Sequence, residues 1–207
     1  MDIKHTFKVK VSPNRSGGFS LIELLVVLGM LVLITTVTLV SHFSFNSSIV
    51  LSSLAYDIAL SIRQAQVFGL AVREYKDEFS AIPNPTFDTG YGVHFDSSTP
   101  KSYILFADTD RQLDYDGVTE RDEVFTIGRG NFISEFCATN SVPIEKCSST
   151  GVITYLDIIF DRPDPEAIIK TNLGETYGSA RIVISSPRGN ERVIRIFSTG
   201  QISVESP

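Results

Sequence analysis

The sequence predicts an α+β protein in which a long N-terminal helix, membrane-spanning in its first half and amphipathic in its second, packs on an antiparallel β-sheet domain. Three observations predict it. Residues 19–40 form a nearly uninterrupted apolar run, and residues 51–72 carry apolar side chains at three- and four-residue spacing. From residue 82 onward, short runs rich in Val, Ile, Tyr and Phe alternate with Pro, Gly and Asn turns.

The 207 residues carry a formal net charge of −6, unevenly distributed. Residues 1–18 hold Lys4, Lys8, Lys10 and Arg15 against Asp2, a net +3, which leaves −9 on the remainder. No nucleic-acid backbone or anionic lipid is expected as a partner for so acidic a domain surface at large. The length accommodates one globular domain and an appendage. Because Pro13, Gly17 and Gly18 discourage a helix, 1–18 reads as a leader to be removed.

Among residues 19–40 only Glu23 is ionisable. As a helix rising ~1.5 Å per residue, these residues span roughly 33 Å, enough for a bilayer core. The next basic residue after Arg15 is Arg63, so the positive flank is wholly N-terminal. The positive-inside rule then places the leader in the cytoplasm and everything after about Ser41 across the inner membrane, in the periplasm or outside the cell.

Beyond the run, SHFSFNSS contains neither Pro nor Gly, so nothing there stops a helix. Leu51, Leu54, Ala55, Ile58, Ile62, Ala65, Gly69 and Val72 then make one apolar stripe running to about Glu74. The expected organisation is a leader at 1–18, a membrane helix at 19–40, to which the resemblance described below adds a role in assembly, its amphipathic continuation at 41–80 and a β-rich domain at 81–207. Strands are predicted at 91–95, 102–107, 123–127, 153–160, 181–185, 192–198 and 201–204. Pro187, Arg188, Gly189 and Asn190 read as a hairpin turn, and 198–201 as a second tight turn.

Two features of the body invite chemistry. In an exported domain, Cys137 and Cys147 favour a disulfide closing a small loop over two free thiols. The densest carboxylate cluster is DTDRQLDYDG, followed by Glu120, Asp122 and Glu123. Alternating oxygen ligands suit Ca²⁺, and Asp108, Asp110, Asp114 and Asp116 fall at positions one, three, seven and nine of such a loop. Leu113 occupies the sixth position, where an EF-hand loop has Gly, and Thr119 the twelfth. The plainer reading is a solvated acidic loop, with a structural Ca²⁺ site as the alternative.

Nothing supports catalysis, and no cofactor is required. His94 stands alone in a predicted strand, while His5 and His42 lie in the leader and at the membrane edge. The cysteines lack the Cys-x-x-Cys spacing of a zinc site. Gly128, Arg129 and Gly130 are a fragment of a phosphate-loop pattern without a strand-to-helix junction.

Taken together, the basic leader, Gly18, Phe19, Glu23 and the apolar run resemble the N-terminus of type IV prepilins and type II secretion pseudopilins. That resemblance implies cleavage by a prepilin peptidase between Gly18 and Phe19, N-methylation of Phe19, and Glu23 as the fifth mature residue, acting in assembly. LSSLAYDIALSIRQAQVFGLAVRE is similar to the segment after the membrane helix in minor pseudopilins and pilins of the GspH/FimT type, and a pilin-like fold is implied. The implied partners are other pilin or pseudopilin subunits, the peptidase, an inner-membrane assembly platform and the lipid bilayer. Pilus, secretion pseudopilus and DNA-uptake pseudopilin remain open within the class. Outside it, the competitor is a signal-anchored extracytoplasmic enzyme or binding module.

Overall fold

The computed structural model describes residues 18–71, 73–75, 89–140 and 144–206, apart from the side chains of 40–46. Of the predicted leader only Gly18 falls among them, and Val72, Pro83 and Pro85 lie outside the described residues. The chain divides into two compact units, Met1–Phe43 and Ser44–Pro207. Helix α1 covers Leu21–Leu70.

In the first unit, Leu21–Leu39 has a mean hydropathy of 2.5 and no buried residue, so this segment is long and apolar enough to cross a membrane. Its threonines return their hydroxyls to the preceding turn. Thr35 Oγ1 donates to the Leu31 carbonyl at 2.9 Å, Thr36 Oγ1 to that of Val32 at 2.8 Å and Thr38 Oγ1 to that of Ile34 at 3.0 Å. Each polar hydrogen is thereby satisfied inside the helix, as an apolar surrounding demands.

The second unit contains the rest of α1, eleven strands among its described residues and a 3₁₀ turn at Ser148–Thr150. The strands are β1 Gly90–Asp96, β2 Ser102–Asp108, β3 Arg121–Thr126, β4 Phe132–Thr139, β5 Lys146–Cys147 and β6 Tyr155–Phe160. They continue with β7 Ile168–Thr171, β8 Thr176–Tyr177, β9 Ser179–Ser185, β10 Glu191–Phe197 and β11 Ile202–Glu205. Two antiparallel sheets result, one ordered β3-β2-β1-β6-β7-β8 and the other β11-β10-β9-β4-β5. The α+β class is thus observed.

The stripe on α1 forms part of the core. Leu51, Ala55, Ile58, Ile62 and Ala65 are fully buried, in one cluster with Tyr91, Val93 and Phe95 of β1, Leu156, Ile158 and Phe160 of β6, and Ile182, Ile184 and Ile194 of β9 and β10. Full burial of one such aliphatic side chain contributes about 1.5–3 kcal/mol. Polar contacts fix the helix laterally: Ser61 Oγ lies 3.0 Å from the Tyr103 hydroxyl, Gln66 Nε2 donates to the Pro165 carbonyl at 2.9 Å, and Arg192 Nε donates to Ser52 Oγ at 3.1 Å.

Gly69 marks the closest approach of α1 to β6, since a Cβ there would collide with the Phe160 carbonyl oxygen and lie 2.9 Å from its carbon. The helix ends one residue later, short of the expected Glu74, and residues 76–80 of the expected continuation lie outside the described residues. Residues beyond it engage the sheet instead. The Arg73 guanidinium lies 3.9 Å from the Phe68 ring centroid and pairs with Asp122 at 2.8 Å, and the Tyr75 hydroxyl donates to the Thr119 carbonyl at 2.8 Å.

The hairpin turn at 187–190 and the tight turn at 198–201 are present, with Gly189 and Gly200 at φ of 80° and 81°, where an L side chain is strained. β4 was not predicted, because a bulge between Ile133 and Glu135 sets buried Ile133 and Phe136 three residues apart and breaks the period of two. β5, β7 and β8, at two, four and two residues, are too short to carry a pattern. β3 begins at Arg121, two residues before the expected start.

Gly69→Ala is expected to destabilise the chain by about 1–3 kcal/mol through overpacking against β6. Chemical denaturation of the detergent-solubilised chain measures it, and an unchanged midpoint would show that helix and strand part here without penalty.

Candidate functional site

The N-terminal residues come first. Gly18 and Phe19 are exposed and precede the helix, and no heavy atom approaches within 4 Å of a Cβ built on Gly18. Ser20 starts α1: its carbonyl accepts the Leu24 amide at 3.2 Å, and its Oγ accepts the Glu23 amide at 3.2 Å. Ser-x-x-Glu at a helix start is the capping-box spacing, with Ser as N-cap and Glu in the third helical position. A carboxylate there also meets the positive end of the helix dipole. This role of Ser20 was legible as SLIE in the sequence, and the reading of Glu23 by its assembly register passed over it.

The acidic loop lies on the face of the six-stranded sheet opposite the core. Gly92 and His94 of β1, Phe106 and Asp108 of β2, and Asp157 and Ile159 of β6 alternate with core residues and share that face. Asp157, wholly buried, has one oxygen 2.6 Å from His94 Nδ1, and its other oxygen accepts the Tyr115 amide at 3.3 Å. Burial pushes the Asp157 carboxyl up, and the His94 hydrogen bond opposes that shift. The Tyr115 ring lies on His94, with centroids 4.6 Å apart, and against Phe106 at 5.4 Å. Gly92 makes room for Phe106, whose ring would stand 2.7 Å from a Cβ. His94 is therefore a packed residue, held by Asp157.

Within the loop, the structure regroups the predicted ligands. Asp108, Asp110 and Glu120 each place a carboxylate oxygen within 4.8 Å of the others. The Asp116 carboxyl lies beside that of Asp110. Asp114 stands apart from the trio; its charge acts on Asp157 and Tyr155. Of the quartet read from spacing, Asp108 and Asp110 meet here with Glu120, which spacing did not include, while Asp114 and Asp116 are not in the trio. Gly117, at φ 128°, turns the chain so that Glu120 returns beside the end of β2, where the Ala107 amide donates to the Glu120 carbonyl at 2.8 Å. The signal was its thirteenth position from Asp108, one past the usual closing carboxylate.

Loop amides orient these groups. Leu113 N donates to Asp108 Oδ2 at 3.0 Å, Gln112 N to Asp110 Oδ1 at 3.1 Å, and Thr109 N and Asp116 N to the two Glu120 oxygens at 3.0 Å each. Burial, added to by the neighbouring Glu120 and Asp110 charges, pushes the Asp108 carboxyl up to about 6 against the pull of the Leu113 and Arg111 amides.

Cys137 and Cys147 sit directly opposite on β4 and β5 and are bridged. The Arg181 guanidinium lies beside the bridge, paired with Glu145 at 2.8 Å and Glu135 at 2.9 Å. Glu135 also accepts from the Ser149 hydroxyl.

Compared with protein-family models, with curated proteins and with solved structures, the chain finds no match in any of the three. A functional reading therefore stands on its own residues.

The bridge closes a short loop, and removing it by Cys147→Ser is expected to lower stability by about 2–4 kcal/mol. Thermal melts with and without reductant test the same point on the parent chain, and coincident melts would show that the loop needs no covalent tie.

Proposed function

We propose that this chain is a structural subunit, of the minor kind, in a type IV pilus or type II secretion pseudopilus. It matures by cleavage between Gly18 and Phe19 and N-methylation of Phe19, and it assembles through α1. The observation that carries this reading is the start of the helix: an exposed Gly18-Phe19 bond, a Ser20 cap two residues on, and Glu23 opening a segment whose apolar side chains are exposed on every side.

Physical argument joins these features. A protease needs extended, accessible chain, and Gly18 and Phe19 supply it just outside the helix. A cut there leaves the Ser20 cap in place, so the product keeps a satisfied first turn. It also creates an ammonium group about one turn before Glu23. A carboxylate at the middle of a membrane helix costs about 2.5–3.5 kcal/mol, less toward its end, and is retained where it finds a partner. In a filament, the ammonium of one subunit meets Glu23 of the next. The apolar surface of Leu21–Leu39 then exchanges lipid for the same segment of other copies, and the β-rich unit makes contacts between subunits or with cargo.

Mass spectrometry of the mature protein is expected to find a chain beginning at N-methylated Phe19. A chain starting at Met1, or cut beyond Val40, would favour a signal-anchored enzyme or binding module. Glu23→Gln leaves the Ser20 cap on the residue-23 amide in place and removes only the charge. The variant is expected in the membrane and depleted from sheared filaments; incorporation at the parental level would remove the assembly role of the carboxylate.

A further inference from the structure

The loop between β2 and β3 holds more negative charge than a packed segment needs. Asp108 ends β2, Asp110 follows it, and Glu120 leads into β3, so two strand ends and the loop between them deliver three carboxylates to one point. Asp116, next to Asp110, is a fourth beside it. Three cationic side chains around this loop are engaged with other groups. Arg73 pairs with Asp122, Arg121 donates to the Tyr115 hydroxyl, and the Lys170 ammonium donates to the Gln112 carbonyl at 2.7 Å.

A second, independent observation points to a ligand. Asp108 is 1% exposed, and while its Oδ2 accepts the Leu113 amide, its Oδ1 is buried without a hydrogen-bond partner. Asp114 Oδ1 is buried in the same condition. Leaving a buried acceptor unsatisfied costs about 1–3 kcal/mol, and more for a charged one, so such atoms are rare unless something else meets them.

We infer that this loop is a Ca²⁺ site, ligated by Asp108, Asp110 and Glu120 with Asp116 at its rim. The donors are all carboxylate oxygens, which select hard cations over zinc or copper. Ca²⁺ takes six to eight oxygens at about 2.3–2.6 Å in a flexible geometry, and three carboxylates with an oxygen apiece near one point supply part of such a shell. Mg²⁺ demands near-ideal octahedral geometry at about 2.0–2.1 Å and dehydrates reluctantly, so a loop of carboxylates serves it less well. Loop amides already orient each carboxylate, so the ion gains a preformed cradle, and carbonyls and water complete its shell. The bound ion ties the end of β2 to the start of β3 and holds Tyr115 down on His94 and Phe106. This site belongs to the β-rich unit and stands or falls independently of the filament reading.

The test uses the full chain in detergent micelles, stripped with chelator. Calorimetric titration with CaCl₂ is expected to show one saturable site per chain with a Kd of about 1 mM or tighter, as in extracellular Ca²⁺ modules, and the melting temperature rises on saturation. Tb³⁺, a Ca²⁺ mimic, gives luminescence sensitised by Tyr115 that Ca²⁺ quenches by competition. Mg²⁺ binds at least about tenfold more weakly. Asp110→Ala, at an exposed position, weakens Ca²⁺ binding at least about tenfold while its circular dichroism in chelator matches the parent; Glu120→Gln does the same from the buried side. Absence of saturable heat and of any melting shift up to about 10 mM Ca²⁺ would overturn the inference. So would unchanged affinity in both variants, which would put the ion elsewhere, or equal affinity for Mg²⁺.

Discussion

The β-rich unit depends on one apolar stripe. Five side chains of α1, from Leu51 to Ala65, are sealed from solvent by residues of both sheets, and the stripe ends in a backbone contact at Gly69. Small residues at Ala55, Ala65 and Gly69 bring the helix axis close to the strands, while Leu51, Ile58 and Ile62 fill the space between. Because close-packed interiors transmit small changes in volume, the position of the helix sets how the strands of both sheets can lie. The hydrogen bonds it shares with Tyr103, Pro165 and Arg192 then fix its rotation rather than its attraction.

That arrangement leaves the six-stranded sheet with a second face to cover, and the acidic loop covers it. β1 is buried or nearly so along its whole length as a result, core on one side and loop on the other. The covering is unusual in being polar: a buried Asp157 with His94, an aromatic lid from Tyr115 and a carboxylate group at the rim. Each polar atom there is a constraint on the loop, because a buried donor or acceptor that loses its partner costs more than the partner gained.

How much of this was legible follows from what periodicity can encode. The helix stripe and seven strands declared themselves by spacing of three to four or of two, and Gly189 and Gly200 by their turns. β4 was hidden because a bulge shifts its register, and β5, β7 and β8 because two to four residues hold no period. The carboxylate site was half legible. Asp108 and Asp110 are close in sequence, but Glu120 joins them only through a turn at Gly117 and a strand pairing that spacing alone does not reveal. Glu23 shows the opposite failing, since attention to its register hid the helix cap that it forms with Ser20.

The disulfide bears on a question of crowding. β5 is the outermost strand of its sheet and β8 the outermost of the other, and each is only two residues long. Lys146, next to the bridged Cys147, pairs with Glu175 at 2.7 Å and lies over the Tyr177 ring at 5.5 Å, so it links these two margins. Short margins, one of them covalently pinned and carrying a lysine, offer few free backbone groups to a strand from another molecule. Two copies meeting at this end of the unit would find few backbone groups with which to pair, and contacts between them there would fall to side chains, whose pairing is selective.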